Sequence, residues 1–436
     1  MIYIGNCIKK QLRVLFGTMK QTDFSMTEDE KRGENASLNS GVRCVVIYDG
    51  KFKRKGGEPA SFNMHYEGYI KRYLGVFERV TLLARVYDEE DAAAKPVTGA
   101  GADFVALPMF SNELNFVLNI PRFIWLFWRT LKRSEDVVML RIPSLVGIFA
   151  ALVCWLKGVP FAVEVAGDPA ADFSAGTAGR QGLKNRLLRP LHKIAYVWPM
   201  RFLCRKAKVS AYVTERQLQV VYPPRLDGFS THYTTLDLAP EAFADKPRSA
   251  VSFEKKRFML ANVAMMQRLI KGQDILLSAV AALRAKGLDV HLTLIGDGAE
   301  RDLIENLAVE AGVRDYVTFT GLLPSGAAVR EVVAGADMFV LPSRQEGLPR
   351  AMIEAMALGL PCVGSDVGGV NELIPLEFIV PPNDLAALIA CLERHVLDAE
   401  GLAEASGVNL VKAEDYAYAK VKARRQACYK KLRELV

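Results

Sequence analysis

From Arg43 onward the chain alternates short, β-rich apolar runs with longer segments whose apolar positions recur at helical spacing. The runs Arg43–Tyr48, Arg79–Val86, Phe104–Leu107, Val137–Leu140, Phe161–Val165 and Lys208–Val213 form one series. Phe258–Met266, His291–Ile295, Tyr316–Thr320, Met338–Leu341 and Pro361–Gly364 form a second. This alternation predicts α/β structure with parallel sheets covered on both faces. At 436 residues the chain exceeds one ordinary domain. The series divide it into a leader (1–40), a first domain (41–245, ending in a Pro- and Asp-containing linker), a second domain (246–415) and a basic terminal helix (416–436).

The richest stretch is Ala336–Ile374. It reads as a strand, a polar loop (Pro342–Leu348), a helix opening at Pro349 and stopped by Gly359, and a second strand. Glu346 lies in the loop at a strand's C-terminal end, where open α/β sheets bind ligands. Glu354 is the one polar position between Ala351 and Leu358, so it is expected on a buried helix and in need of partners. Two carboxylates can accept from vicinal hydroxyls, and the N–H groups of Gly347 and Leu348 can hold an anion beside them. Hydroxyls plus an anion describe a nucleotide sugar; the bland reading is a loop charge and one polar turn.

Arg268 and Lys271 follow the first strand of the second series and precede a helix, a setting for a diphosphate. Gly56-Gly57, in a basic loop after the first strand of the chain, predicts either a close approach of backbone to phosphate or sugar, or a plain turn. Asp168 follows Phe161–Val165 and either faces the cleft or caps the next turn. Asp297 reads as turn chemistry and His291 as a packed strand residue.

Seven scattered cysteines without a C-x-x-C pair indicate free thiols in a reducing compartment. No Asp-x-Asp occurs, so a site without metal is expected. The net charge is +7, and residues 1–250 carry 35 Lys and Arg against 25 Asp and Glu. That basic half implies an anionic partner: membrane headgroups, a phosphorylated acceptor or nucleic acid. An ordinary basic face is the plainer account. Ile120–Arg133, with two Trp, two Phe and four cations, fits either a membrane interface or an aromatic core helix. The longest apolar run, Leu145–Leu156, is too short to span a bilayer and predicts a buried helix. Around Lys9, Lys10 and Arg13 there is no long apolar region that would mark a secretory signal.

Glu346-Gly347-Leu348-Pro349, Met352–Ala357 with Glu354, Gly359, Pro361 and Gly368-Gly369-Val370-Asn371-Glu372 together resemble the E-x(7)-E region of retaining glycosyltransferases of family 4. The likeness extends over about residues 258–395. It implies the GT-B fold, two Rossmann-like domains facing a central cleft, and a hexosyltransferase moving sugar from a UDP- or GDP-sugar to a hydroxyl with anomeric retention. Residue by residue it implies Glu346 on the donor sugar, Glu354 on the ribose, and Lys271 with Arg268 on the diphosphate, the last two spaced two residues closer than the common pattern. It implies no cofactor beyond the co-substrate and no protein nucleophile. A glycan or glycolipid acceptor on a lipid-linked or surface polysaccharide is expected, with no nucleic acid. The location expected is the cytoplasm, peripheral on the inner face of the plasma membrane. A non-catalytic nucleotide-sugar binder would keep the cations and lose the sugar contacts. A glycoside hydrolase would need carboxylates flanking the bond, about 5 to 9.5 Å apart.

Overall fold

The computed structural model describes residues 41–62, 64–111, 113–169, 196–323 and 326–436. The leader, and the readings made on Cys7, Lys9, Lys10 and Arg13, lie outside them.

The first sheet is parallel in the order β5 (Ala102–Ala106), β3 (Arg79–Glu90), β1 (Arg43–Lys55), β6 (Asp136–Ile142), β7 (Phe161–Val165), β8 (Val209–Tyr212), β9 (Phe229–His232). Strand β1 alternates strictly: Cys44 and Val46 face one core, Val45 and Ile47 the other. Every one of the four is fully buried, because helices cover both faces.

One expectation is corrected here. β1 does not stop at Tyr48 but runs on to Lys55, and Gly56-Gly57 turn it into an antiparallel hairpin with β2 (Glu58–Ser61). Both glycines have positive φ, as a two-residue hairpin turn needs, and both N–H groups are taken by Glu90 at 3.0 and 3.1 Å. Gly57 is therefore an exposed hairpin tip, not a backbone cradle for a phosphate. A further short strand, β4 (Lys95–Pro96), pairs with β2.

The helix foreseen over Ile120–Arg133 is α1 (Glu113–Thr130). Its phenylalanines go inward: Phe123 and Phe127 are fully buried beside α2 (Leu145–Lys157), while Trp125 and Trp128 are only partly buried and the Trp125 ring lies under Arg129 at 5.5 Å. Exposed apolar residues remain in its first turns, at Leu114, Val117 and Leu118. α2 covers the sheet but leaves Trp155 half exposed. Among the described residues no helix is long and apolar enough to cross a membrane.

The second sheet is parallel throughout, in the order β12 (Val317–Gly321), β11 (Asp289–Ile295), β10 (Arg257–Val263), β13 (Met338–Leu341), β14 (Cys362–Ser365), β15 (Ile379–Val380). The strand order reverses between β10 and β13, so the loops leaving these two strands splay apart and open a crevice at their carboxyl ends. The first sheet reverses in the same way between β1 and β6. The described residues thus form two Rossmann-like bodies.

The basic terminal helix, α6 (Tyr418–Arg433), returns to the first body. Tyr429 stacks on Tyr73 with ring centres 4.3 Å apart, and Arg433 donates to the Val76 carbonyl at 2.7 Å. A second tie crosses between the bodies: the Glu372 carboxylate accepts the backbone N–H groups of Glu215, Arg216 and Gln217. Lys412, on α5 (Ala399–Ala413), pairs with Glu215 at 3.0 Å. The six cysteines among the described residues are free and buried. Burial pushes the Cys391 thiol up to about 11 and that of Cys428 up to about 12, as expected of core packing rather than reactivity.

Candidate functional site

The crevice at the β10–β13 reversal is built by two loops. The first leaves β10 at Ala264 and ends in a single turn, Leu269–Lys271, before α3 (Gln273–Ala285). Gly272 joins the turn to the helix at φ +71°, and a Cβ there would stand 2.0 Å from the Pro342 carbonyl oxygen. Only glycine lets the two loops approach this closely. Gly272→Ala is expected to destabilise the protein by about 1–3 kcal/mol, through strain and forced separation of the loops. Urea unfolding checks this, and a loss below about 0.5 kcal/mol, the scale of an ordinary surface change, would contradict the close packing.

The second loop, Pro342–Pro349, leads into α4 (Arg350–Ala357). Pro349 is its cap rather than its first residue, and Gly359 at φ +66° follows its end. Arg344 binds the loops together. Its backbone N–H donates to Ile270 O at 2.7 Å, and its guanidinium grips Asp274 through two bonds of 2.8 and 2.7 Å. It also reaches Leu269 O and Asn383. The paired Arg–carboxylate fork fixes direction as well as distance.

Within this frame Lys271 Nζ donates to Glu346 Oε1 at 2.7 Å, and Ser343 Oγ donates to the same oxygen at 2.7 Å. The Glu346 side chain is 7% exposed and that of Lys271 31%. Glu346 Oε2 accepts no hydrogen bond among the described residues, so one face of the carboxylate stays available. Arg268 is exposed and unpartnered among the described residues. It lines a cavity of about 390 Å3 together with Lys271, Glu346, Gly347 and, from the first body, Ala166 and Asp168. Asp168, left open between cleft and cap, lines this cavity and accepts from the Tyr222 hydroxyl. The N–H groups of Gly347 and Leu348 are not bonded within the described residues, and Leu348 packs into the core while lining a neighbouring cavity.

Glu354 departs from expectation in one respect. It is partly buried, and burial raises its carboxyl above the usual range against the pull of Arg350 and Arg330, yet it has no hydrogen-bond partner among the described residues. The other inward positions of α4, Met352, Ile353, Ala355 and Met356, are fully buried. The structure thus unites Glu346, Lys271, Arg268 and Gly347 on one cavity, leaves Glu354 one helix turn further on, and removes Gly57. Ser343 and Arg344 escaped sequence reasoning; the only signal was polarity in the loop, since their partners lie far along the chain or on one atom of Glu346.

Among the described residues no group of three His, Cys, Asp or Glu is placed to hold a metal. Asp297 turns its own loop by accepting from the Gly298 N–H, and His291 packs at Tyr316 beside Asp289. A larger depression of about 580 Å3, beside Glu372, His395 and Lys412, contains none of the foreseen site residues. Several of its polar groups are engaged elsewhere: Glu372 and Lys412 tie the two bodies, and His395 stacks on Phe378 at 3.9 Å.

Comparison with known proteins bears on the fold and on the second body. Residues 257–398 match the family model described as glycosyl transferases group 1. Protein CapJ of Staphylococcus aureus is 22% identical over 75% of this chain and 79% of its own length. The alpha-D-kanosaminyltransferase of Streptomyces kanamyceticus is 29% identical over 57% of this chain and 64% of its own. In fold, the chain superposes on sucrose-phosphate synthase of Thermosynechococcus elongatus with a TM-score of 0.62 at 16% identity, covering 90% of this chain and 99% of that one. Two Rossmann-like bodies, a crevice at the second body's strand reversal and the matched segment lead to one statement: the chain has the GT-B fold, and its residues 257–398 match the group 1 glycosyl transferases.

Proposed function

We propose that the protein is a retaining hexosyltransferase of family 4 type, moving a hexosyl unit from a UDP- or GDP-sugar to a hydroxyl of a lipid-linked or surface glycan. The observation that carries this reading is the convergence of Lys271, Arg268 and the free face of Glu346 on one cavity between two Rossmann-like bodies. Cations at a helix entrance suit a diphosphate, and a carboxylate with one unshared oxygen suits the donor sugar's hydroxyls. Glu354, partly buried and unpartnered among the described residues, has the character of a group whose partner is a ligand, and the ribose diol is assigned to it. The unbonded N–H groups of Gly347 and Leu348 are further donors.

In this reading catalysis is positioning plus electrostatic stabilisation. As the bond from the anomeric carbon to the diphosphate oxygen breaks, negative charge grows on the leaving phosphate, and Lys271 and Arg268 balance it. The acceptor hydroxyl attacks from the same face and its proton passes to the departing phosphate, so retention needs no protein nucleophile. The two cations supply the charge that a divalent metal supplies elsewhere, and the reading requires no metal. The transferase name of the Streptomyces kanamyceticus relative supports sugar transfer. Cytoplasmic location with peripheral contact to the inner membrane face is proposed on the basic first half and on exposed Leu114, Leu118 and Trp198.

The experiment is a donor screen. UDP- and GDP-sugars are titrated calorimetrically and nucleotide release is followed with a glycolipid fraction as acceptor. One nucleotide class is expected to bind in the micromolar range typical of enzyme substrates, about 1 μM to 1 mM. Absence of binding by both classes would refute the donor reading.

A further inference from the structure

A second cavity, of about 290 Å3, opens at the strand reversal of the first body. Tyr48 reaches it from β1, and Arg141 from β6, one residue before the strand's end. Arg72 and Thr234 belong to the same wall, while Arg350 closes it from the second body. Among the described residues three arginines line this space, and no Asp or Glu does. We propose that it is a subsite for an anionic group, a carboxylate or a phosphate ester, carried by the acceptor. This rests on the transferase reading and adds the acceptor's chemistry to it.

The arginines are set in place beforehand. Arg141 is ion-paired to Glu164, which is itself buried and accepts from the Tyr233 hydroxyl at 3.2 Å. Its guanidinium lies over the rings of Tyr48 at 5.6 Å and Tyr69 at 6.0 Å, so it is contacted from three sides. Arg72 is held by Asp237, and its Nη1 is buried with no hydrogen bond. Arg350 donates to Thr235 Oγ1 at 3.3 Å. The carboxylates that balance part of this charge are Glu164, Asp237 and, acting on Arg350, Glu354; none of them faces the cavity. A planar donor fork that is already oriented loses little entropy on meeting a carboxylate or phosphate.

Position gives the cavity its role. It shares Ala166 and Gly347 with the Lys271–Glu346 cavity. A Cβ on Gly347 would stand 2.6 Å from the Ala166 carbonyl oxygen, so the two bodies touch there backbone to backbone and the two spaces lie on either side of that contact. An acceptor anchored by its anion on the arginines therefore lies next to the donor cavity, with only the Ala166–Gly347 contact between them.

The test is calorimetric titration of glucose, glucuronate and glucose 6-phosphate into the full chain saturated with UDP or GDP, which occupies Arg268 and Lys271. At least one anionic sugar is expected to bind tenfold or more tighter than glucose, with an advantage that falls as salt rises. Arg350→Gln, at an exposed position whose loss spares the core, is expected to reduce that advantage at least fivefold. Preference for glucuronate identifies a carboxylate, and preference for glucose 6-phosphate a phosphate ester. Equal binding of all three sugars, or an advantage untouched in Arg350→Gln, overturns the proposal. Should neither nucleotide bind, the donor reading fails, and the same titrations on nucleotide-free protein with Arg350→Gln still decide this one.

Discussion

Glu346→Ala is expected to lower the transfer rate by about a thousandfold, the upper range for removing one preorganised polar group from a reacting centre, while nucleoside diphosphate affinity stays within about threefold of the parent. The asymmetry follows from the contacts. Glu346 Oε1 is committed to Lys271 and Ser343, and its other oxygen faces the cavity where the donor hexose is placed. Removing the carboxylate deprives the sugar of its orienting acceptor, but it also releases Lys271 from its ion pair, and a released ammonium still serves a diphosphate. Single-turnover transfer and calorimetry with the free nucleotide separate the two effects. Glu346→Gln should recover part of the positioning without the charge. Transfer at the parental rate in Glu346→Ala would remove Glu346 from the site.

Lys271→Ala should act on the other quantity. Loss of a charge-assisted bond costs about 2 kcal/mol, or roughly thirtyfold in nucleotide affinity. Glu346, left without its cation and 7% exposed, then adds repulsion toward the incoming diphosphate. The expected result is weaker binding of the free nucleotide itself, with Lys271→Arg restoring a part. Unchanged affinity in Lys271→Ala would mean that the diphosphate lies elsewhere. The two substitutions together form a cycle: because the residues share a hydrogen bond, the double variant should bind nucleotide better than Lys271→Ala alone, since no stranded carboxylate remains.

These expectations concern side chains whose pairing was only partly legible beforehand. The alternation of apolar runs located five of the six strands of the second sheet; β13 and β14 are buried on both faces and leave a continuous hydrophobic signature, while β12 at the edge keeps one face partly open. β15, with two residues, was too short to register. In the first body the extension of β1 was missed for the opposite reason: Lys51–Lys55 is half exposed, alternates charge with Phe52, and owes its strand character to pairing with β2 and β3. Gly56-Gly57 was equally compatible with a phosphate cradle or a hairpin, and what separates them is Glu90, 33 residues onward, taking both N–H groups.

By itself the sequence determined the α/β class, the order of the two bodies and the identity of the carboxylates and cations on the loops after β10 and β13, because period, loop position and side-chain chemistry are local properties. Only the tertiary structure decided that Glu346 and Lys271 share a proton-bearing contact, that Glu354 has no protein hydrogen bond among the described residues, and that three arginines from two bodies face one cavity. Those facts depend on strand order and on close approaches such as Gly272 to Pro342 and Gly347 to Ala166, which bring together residues far apart in the chain and leave no mark on the composition around them.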